Sequence, residues 1–232
     1  MSFYDDWITK KNTEYEKKYI EMFLSSDDMS KNVFLTGTEA ELGAAISVIT
    51  SVPIQKYIEV IDQLTMDDTV KSDQVPQFSG FCNALYRLPE ILEFAPDGLS
   101  FSEIGYQLAK SPNDAASTKY GENHSKLAEM LDIVEICNRP SNVKSTNLGK
   151  YLIKFTPDEK KELVKRLLLR QYIVKKMLNA AGKGRCNYKD IVSELSKSTA
   201  LRRRSNVNKL LDYVVEGTDL SERLKVINWN VD

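Results

Sequence analysis

NHSKLAEMLDIVEICNRPSNVKSTNLGKYLI, residues 123–153, sets a helix end, a short alternating strand, a turn and a returning segment in one stretch of chain. Leu127, Met130 and Leu131 recur at the three- and four-residue spacing of a buried helix face. Ile133-Val134-Glu135-Ile136-Cys137 then alternates apolar and polar residues, the period-two pattern of a half-buried strand. Asn138-Arg139-Pro140-Ser141-Asn142 is built from turn formers, and Val143 followed by Thr146-Asn147-Leu148-Gly149-Lys150-Tyr151 brings the chain back.

Upstream, Phe81, Leu85, Leu88 and Leu92 make one helical face, which the Ala95-Pro96-Asp97-Gly98 turn stops. Ser100 and Glu103 form a capping box, each side chain satisfying the other residue's backbone N–H, ahead of Ile104, Leu108 and Ala109. Pro112-Asn113-Asp114 separates that helix from a third carrying Tyr120 and Leu127. Helix, helix, helix, strand, turn, strand is the order of a winged helix, a helix-turn-helix extended by a two-stranded wing. Residues 123–153 resemble the core of that family, including a Thr-x-x-Gly turn at Thr146 to Gly149. The resemblance implies duplex DNA binding, with one helix for the major groove and the wing for the backbone.

Residues 1–75 read as a separate helical domain. Tyr15, Tyr19, Met22 and Phe23 form one face, and Thr38 with Glu41 makes a second capping box before Ala44, Ala45, Val48 and Ile49. Ile54, Tyr57, Ile58, Ile61 and Leu64 resume the apolar face after Pro53, and the polar run from Thr65 to Gln77 predicts a linker.

Downstream, Thr156-Pro157-Asp158-Glu159 supplies a capping Thr, a Pro at the first helical position and a Glu at the third. Leu163, Leu167, Val174, Met177 and Leu178 give that helix its buried face, with Lys160, Lys161, Lys165, Arg170, Lys175 and Lys176 elsewhere on it. Tyr188, Ile191, Val192 and Leu195 predict another helix, Leu201 to Val215 a further one, and Leu224 to Trp229 a closing strand. Ser198-Thr199, Arg202-Arg203 and Val207 resemble a winged-helix module of bacterial restriction-associated and ATPase-associated proteins. Asn206 stands where that family has threonine, and Leu210 and Tyr213 where it has tryptophans; the match is confined to residues 198–232. The expected fold is therefore mainly α with small β-hairpins, an α+β protein of three segments: a helical domain over 1–75, a first winged helix over 76–156, and a linker helix with a second winged helix over 157–232.

A formal net charge of -1 conceals a strong polarity along the chain. Residues 1–138 hold 11 Lys and Arg against 23 Asp and Glu, whereas residues 139–213 hold 19 against 6. A stretch this basic can neutralise phosphates and release their condensed counterions, unless its lysines merely solvate helix faces. With residues ~100° apart around a helix axis, Val207, Leu210, Leu211 and Val214 share one side, and Arg202, Ser205, Asn208 and Lys209 the other. Arginine offers a donor fork to guanine or phosphate, asparagine pairs with adenine, and serine bonds phosphate. Arg202, Arg203, Arg204, Ser205, Asn208 and Lys209 are thus the candidate DNA contacts, with Arg139 and Lys144 reaching the backbone from the first wing. The corresponding helix of the first module carries Glu122 and Glu129 beside Ser125 and Lys126, and carboxylates repel phosphate.

No catalytic residue, metal site or cofactor is expected. The sole histidine, His124, falls near the apolar side of its helix with no cysteine or second histidine close in sequence. Glu16-Lys17-Lys18 and Glu159-Lys160-Lys161 have the local spacing of a metal nuclease but lie on amphipathic helices rather than strands. Gly182-Lys183-Gly184 is a turn and not a phosphate loop, because no Lys-Ser/Thr pair follows it. Cys82, Cys137 and Cys186 are odd in number and far apart, which predicts reduced thiols. The apolar runs are too short for a membrane span and the first residues lack signal-peptide order, which predicts a cytoplasmic protein. The expected function is non-catalytic binding of double-stranded DNA, as a transcription regulator or recognition subunit of a restriction, defence or mobile-element system. The acidic region is assigned to scaffolding, homodimer contact or a basic protein partner. Two alternatives are an interaction module docking an ATPase or nuclease partner, and a metal-dependent restriction endonuclease.

Overall fold

Three Ser/Thr-x-x-Glu boxes start helices where the sequence places them. The backbone N–H of Thr38, Ser100 and Thr156 donates to Glu41, Glu103 and Glu159 at 2.8, 2.7 and 2.9 Å. In the computed structural model, residues 3–9, 13–25, 28–109, 114–137 and 142–231 are described, and the fold is mainly helical with a few small strands. In chain order come α1 (Phe3–Thr9), α2 (Thr13–Ser25), α3 (Asp28–Thr36), α4 (Glu39–Ser51) and α5 (Ile54–Gln63). Then follow α6 (Leu88–Glu93), β1 (Leu99–Ser100), α7 (Phe101–Ala109), α8 (Asp114–Met130), β2 (Val134–Cys137), β3 (Asn142–Ser145) and α9 (Asn147–Leu152). Last are α10 (Pro157–Leu169), α11 (Tyr172–Gly182), β4 (Cys186–Asn187), α12 (Tyr188–Ile191), α13 (Lys197–Val215), α14 (Ser221–Leu224) and β5 (Ile227–Asn228). No single helix among the described residues is long and apolar enough to cross a membrane, and the apolar pair α4 and α5 is bent by 78°.

Where the sequence reading cuts the chain into three consecutive segments, contacts gather it into two units, each discontinuous in sequence. One contains Met1–Ser26, Val48–Pro76 and Glu162–Asp232; the other contains Asp27–Ser47 and Gln77–Lys161. Local periodicity finds helices but not which distant helices share a core, so the helical region 1–75 is divided between the units.

In the second unit, α7 and α8 approach so closely that their glycines are obligatory. A Cβ on Gly105 would sit 1.7 Å from the Ser117 carbonyl oxygen, and one on Gly121 would sit 1.9 Å from that of Phe101. After α8, Asp132 takes φ +58°, a left-handed conformation that its short polar side chain tolerates. The chain then enters an antiparallel sheet of order β1-β3-β2, in register Val134↔Ser145, Glu135↔Lys144, Ile136↔Val143 and Cys137↔Asn142. The returning segment is shorter than expected. Thr146 ends it, accepting the Gly149 N–H at 3.0 Å as the cap of α9 and donating to the Asp132 and Ile133 carbonyls at 2.7 and 2.9 Å.

The first unit buries the apolar faces of α2, α5, α10, α11 and α13, including Phe23, Tyr57, Leu167, Met177 and Leu210. The helix expected to run on from Pro157 breaks at Arg170-Gln171, where bonds to Leu167 and Leu168 tighten to three-residue spacing. Three of the cations expected elsewhere on it, Lys165, Arg170 and Lys175, are buried, and so is Arg166. Arg166 is the central one, 4% exposed. Its guanidinium donates to Val52 O at 2.9 Å, Thr50 O at 3.1 Å, and the Glu162 carbonyl and carboxylate at 2.7 and 2.8 Å. It thereby closes the carbonyl end of α4 just where Pro53 starts α5. Partial burial pushes the Glu162 carboxyl up, but hydrogen bonds from Arg166 and Lys165 outweigh it and hold the group below its ordinary range.

The same device recurs within this unit. Lys175 donates to Leu24 O at the end of α2 at 2.5 Å, and burial, with Arg170 nearby, pulls its ammonium down to about 8. Asn179 donates to Ile61 O and Leu64 O at the end of α5, at 2.6 and 3.1 Å. Lys165 donates to Glu216 O after α13 at 2.7 Å. Arg223 grips Asp62 with both guanidinium nitrogens, at 2.5 and 2.9 Å. The predicted linker is not free either, since Val70 and Val75 are buried and Tyr172 donates to Asp68 O at 2.6 Å. The expected strand from Leu224 to Trp229 contracts to Ile227–Asn228, which pairs in parallel with Cys186–Asn187.

Two substitutions test this packing. Arg166→Met strands the Thr50 and Val52 carbonyls, each costing ~1–3 kcal/mol, so urea denaturation should show a loss of about 3 kcal/mol or more, partly recovered in Arg166→Lys. Gly121→Ala should destabilise the second unit by about 3 kcal/mol, read as a lowered melting transition, because the clash is with backbone.

Candidate nucleic-acid interface

Ser196 caps α13 by accepting the Thr199 N–H at 3.4 Å, and Tyr188 of α12 donates to Ala200 O at 3.1 Å. These bonds fix the first turns of α13 against α12 across a short turn. Val207, Leu210, Leu211 and Val214 face the core. Ser198, Arg202, Ser205 and Lys209, at i, i+4, i+7 and i+11, form an exposed stripe on the opposite side.

The structure divides the candidate contacts. Arg202 and Lys209 are exposed. Arg203 is half-buried, and its Nη1 donates to Ser72 O and, at 2.7 Å, to Val75 O, tying down the 65–77 strap. Burial, with Arg202 alongside, pulls that guanidinium below its ordinary range. Arg204 donates to Trp229 O at 3.3 Å, which holds the segment after β5. Ser205 is exposed but its hydroxyl donates to Asn206 Oδ1 at 3.3 Å, and the Asn208 amide donates to Asp212 at 2.7 Å. Lys144 sits half-buried on β3 opposite Glu135 of β2. Arg139 lies outside the described residues, as does the turn at 138–141.

Two features escaped the sequence reading. Ser198 belongs to the stripe and is detectable from the same four-residue period. Lys183 and Arg185 are exposed on the turn leading into β4, with no motif to mark them. On α8, Glu122 accepts from Lys119 at 2.8 Å and Lys126 at 2.6 Å, so both lysines are paired on their own helix.

Two of the groups considered for catalysis, Glu159 and His124, make local contacts. Glu159 accepts the Thr156 N–H of its capping box. His124 is buried; its Nδ1 faces Tyr120 O at 2.7 Å and its Nε2 accepts the Gly80 N–H at 3.2 Å. Among the described residues, no group of three His, Cys, Asp or Glu is placed to hold a metal ion. No family model, curated protein or solved structure matches the chain.

His124 makes a testable pH dependence. Its neutral form is the one that accepts from Gly80, and burial holds its pKa below the ordinary value, against the hydrogen bond with Tyr120 O. The unfolded chain takes up that proton near ~6.5 while the folded chain does not, so the contribution is present above this range and lost as pH falls below it. From about pH 7.5 to about pH 5.5, the wild type should lose more melting temperature than His124→Gln; equal losses would contradict the assignment.

Proposed function

We propose that the chain binds duplex DNA without catalysis, as a regulator or recognition subunit of a restriction, defence or mobile-element system. The observation that carries this reading is the exposed Ser198, Arg202, Ser205 and Lys209 stripe on a helix that follows a short helix and turn. Such a surface offers two cations and the Ser198 hydroxyl to phosphate from one face of a rigid element. The order α6, β1, α7, α8, β2, β3, with β1 against β3, supports a winged-helix reading of the second unit. The parallel pairing of β4 with β5 does not supply α13 with a comparable wing, so α13 acts as the helix of a wingless helix-turn-helix.

A second reading, a module that docks an ATPase or nuclease partner or a second copy, is favoured by exposed aromatic residues and a groove on the second unit. Phe94 is 85% exposed there and Tyr106 61%. Ile91, Phe94, Ala95 and Leu99 line a shallow groove bordered by Arg87, Glu90 and Gln107.

Anisotropy of a labelled duplex separates the readings. At low salt the wild type should bind, and Arg202→Ala/Lys209→Ala should weaken binding about tenfold or more while melting at the wild-type temperature. Absence of duplex binding at low salt would sink the DNA reading and leave the docking one.

A further inference from the structure

We propose that the α13 stripe holds duplex DNA through its phosphates alone, so that binding is indifferent to base sequence and the chain supplies its system's hold on DNA, not the choice of target; this narrows the DNA reading above, on which it rests. Direct readout in the major groove needs a side-chain fork presented to base edges, arginine or lysine to guanine and asparagine or glutamine to adenine. Three such side chains of α13 are engaged within the protein. The Asn208 amide donates to Asp212 at 2.7 Å. Arg203 is committed to the Ser72 and Val75 carbonyls, and Arg204 to that of Trp229. The Ser205 hydroxyl donates to Asn206, leaving its oxygen lone pairs outward, and a lone pair does not attract phosphate.

Arg202 and Lys209 remain as the outward cations of this face. Seven residues of helix separate them by about 10.5 Å along the axis. That span is close to the ~12 Å width of a B-DNA major groove, so the pair suits phosphates on its two lips. With both cations spent on phosphate, no fork on this face is left for a base edge.

Selection from a random duplex pool at low salt, followed by titration of several duplexes of different composition, tests the inference. The full chain should enrich no motif, and the duplexes should bind within about tenfold of one another. Arg202→Ala and Lys209→Ala should each lower every affinity by the same factor. An enriched motif bound ~10³-fold or more above the pool would overturn the inference and leave the DNA reading standing. So would a preference that Arg202→Ala erases. Failure to retain any duplex overturns the DNA reading and this inference together.

Discussion

The hydrogen bonds from Arg166 to the carbonyls of Thr50 and Val52 are the constraint on which the first unit depends. Helix α4 ends in carbonyls that lack intrahelical partners, and the bend into α5 buries them. Water is excluded there, so a donor must come from the chain itself, or each acceptor bears its desolvation cost. A guanidinium suits the task because its planar fork serves several acceptors at once, and Glu162 balances its charge. Lys175 at the end of α2 and Lys165 after α13 follow the same logic, as does the neutral amide of Asn179 at the end of α5. Cations at helix C-termini also complement the helix dipole, so charge and hydrogen bonding act in one direction.

This use of charge changes what a basic stretch means. Residues 139–213 carry 19 Lys and Arg, and several of the most central of them lie inside the first unit as donors to carbonyls. Interior cations release no counterions to a phosphate backbone. The electrostatic surface of α13 is narrow, a stripe and not a face, because its neighbours Arg203 and Arg204 act as ties holding the 65–77 strap and the segment after β5.

What was legible in the sequence was local. Capping boxes declare themselves because both partners lie three residues apart, and the buried side of α13 follows from its period. The Asn208–Asp212 pair, four residues apart on a helix, is readable by the same rule. The role of Arg166 is not, since its carbonyl partner Val52 lies 114 residues away, and Leu24 lies 151 residues from Lys175. A backbone carbonyl carries no sequence signature at all, so a cation that caps one looks identical to a cation in water. The same blindness hid the interleaving of the two units and made the 65–77 strap read as a linker, because its buried Val70 and Val75 are sparse among polar residues.

The division of basic residues between interior caps and surface stripe is the central claim, and the salt dependence of duplex binding counts it. The slope of log affinity against log salt is about -0.9 per phosphate neutralised on B-DNA. With the α13 cations and a few exposed neighbours such as Lys183 and Arg185 available, the slope should fall between about -2 and -4. A slope of about -9 or steeper would mean that the basic stretch as a whole meets DNA, and would contradict the account.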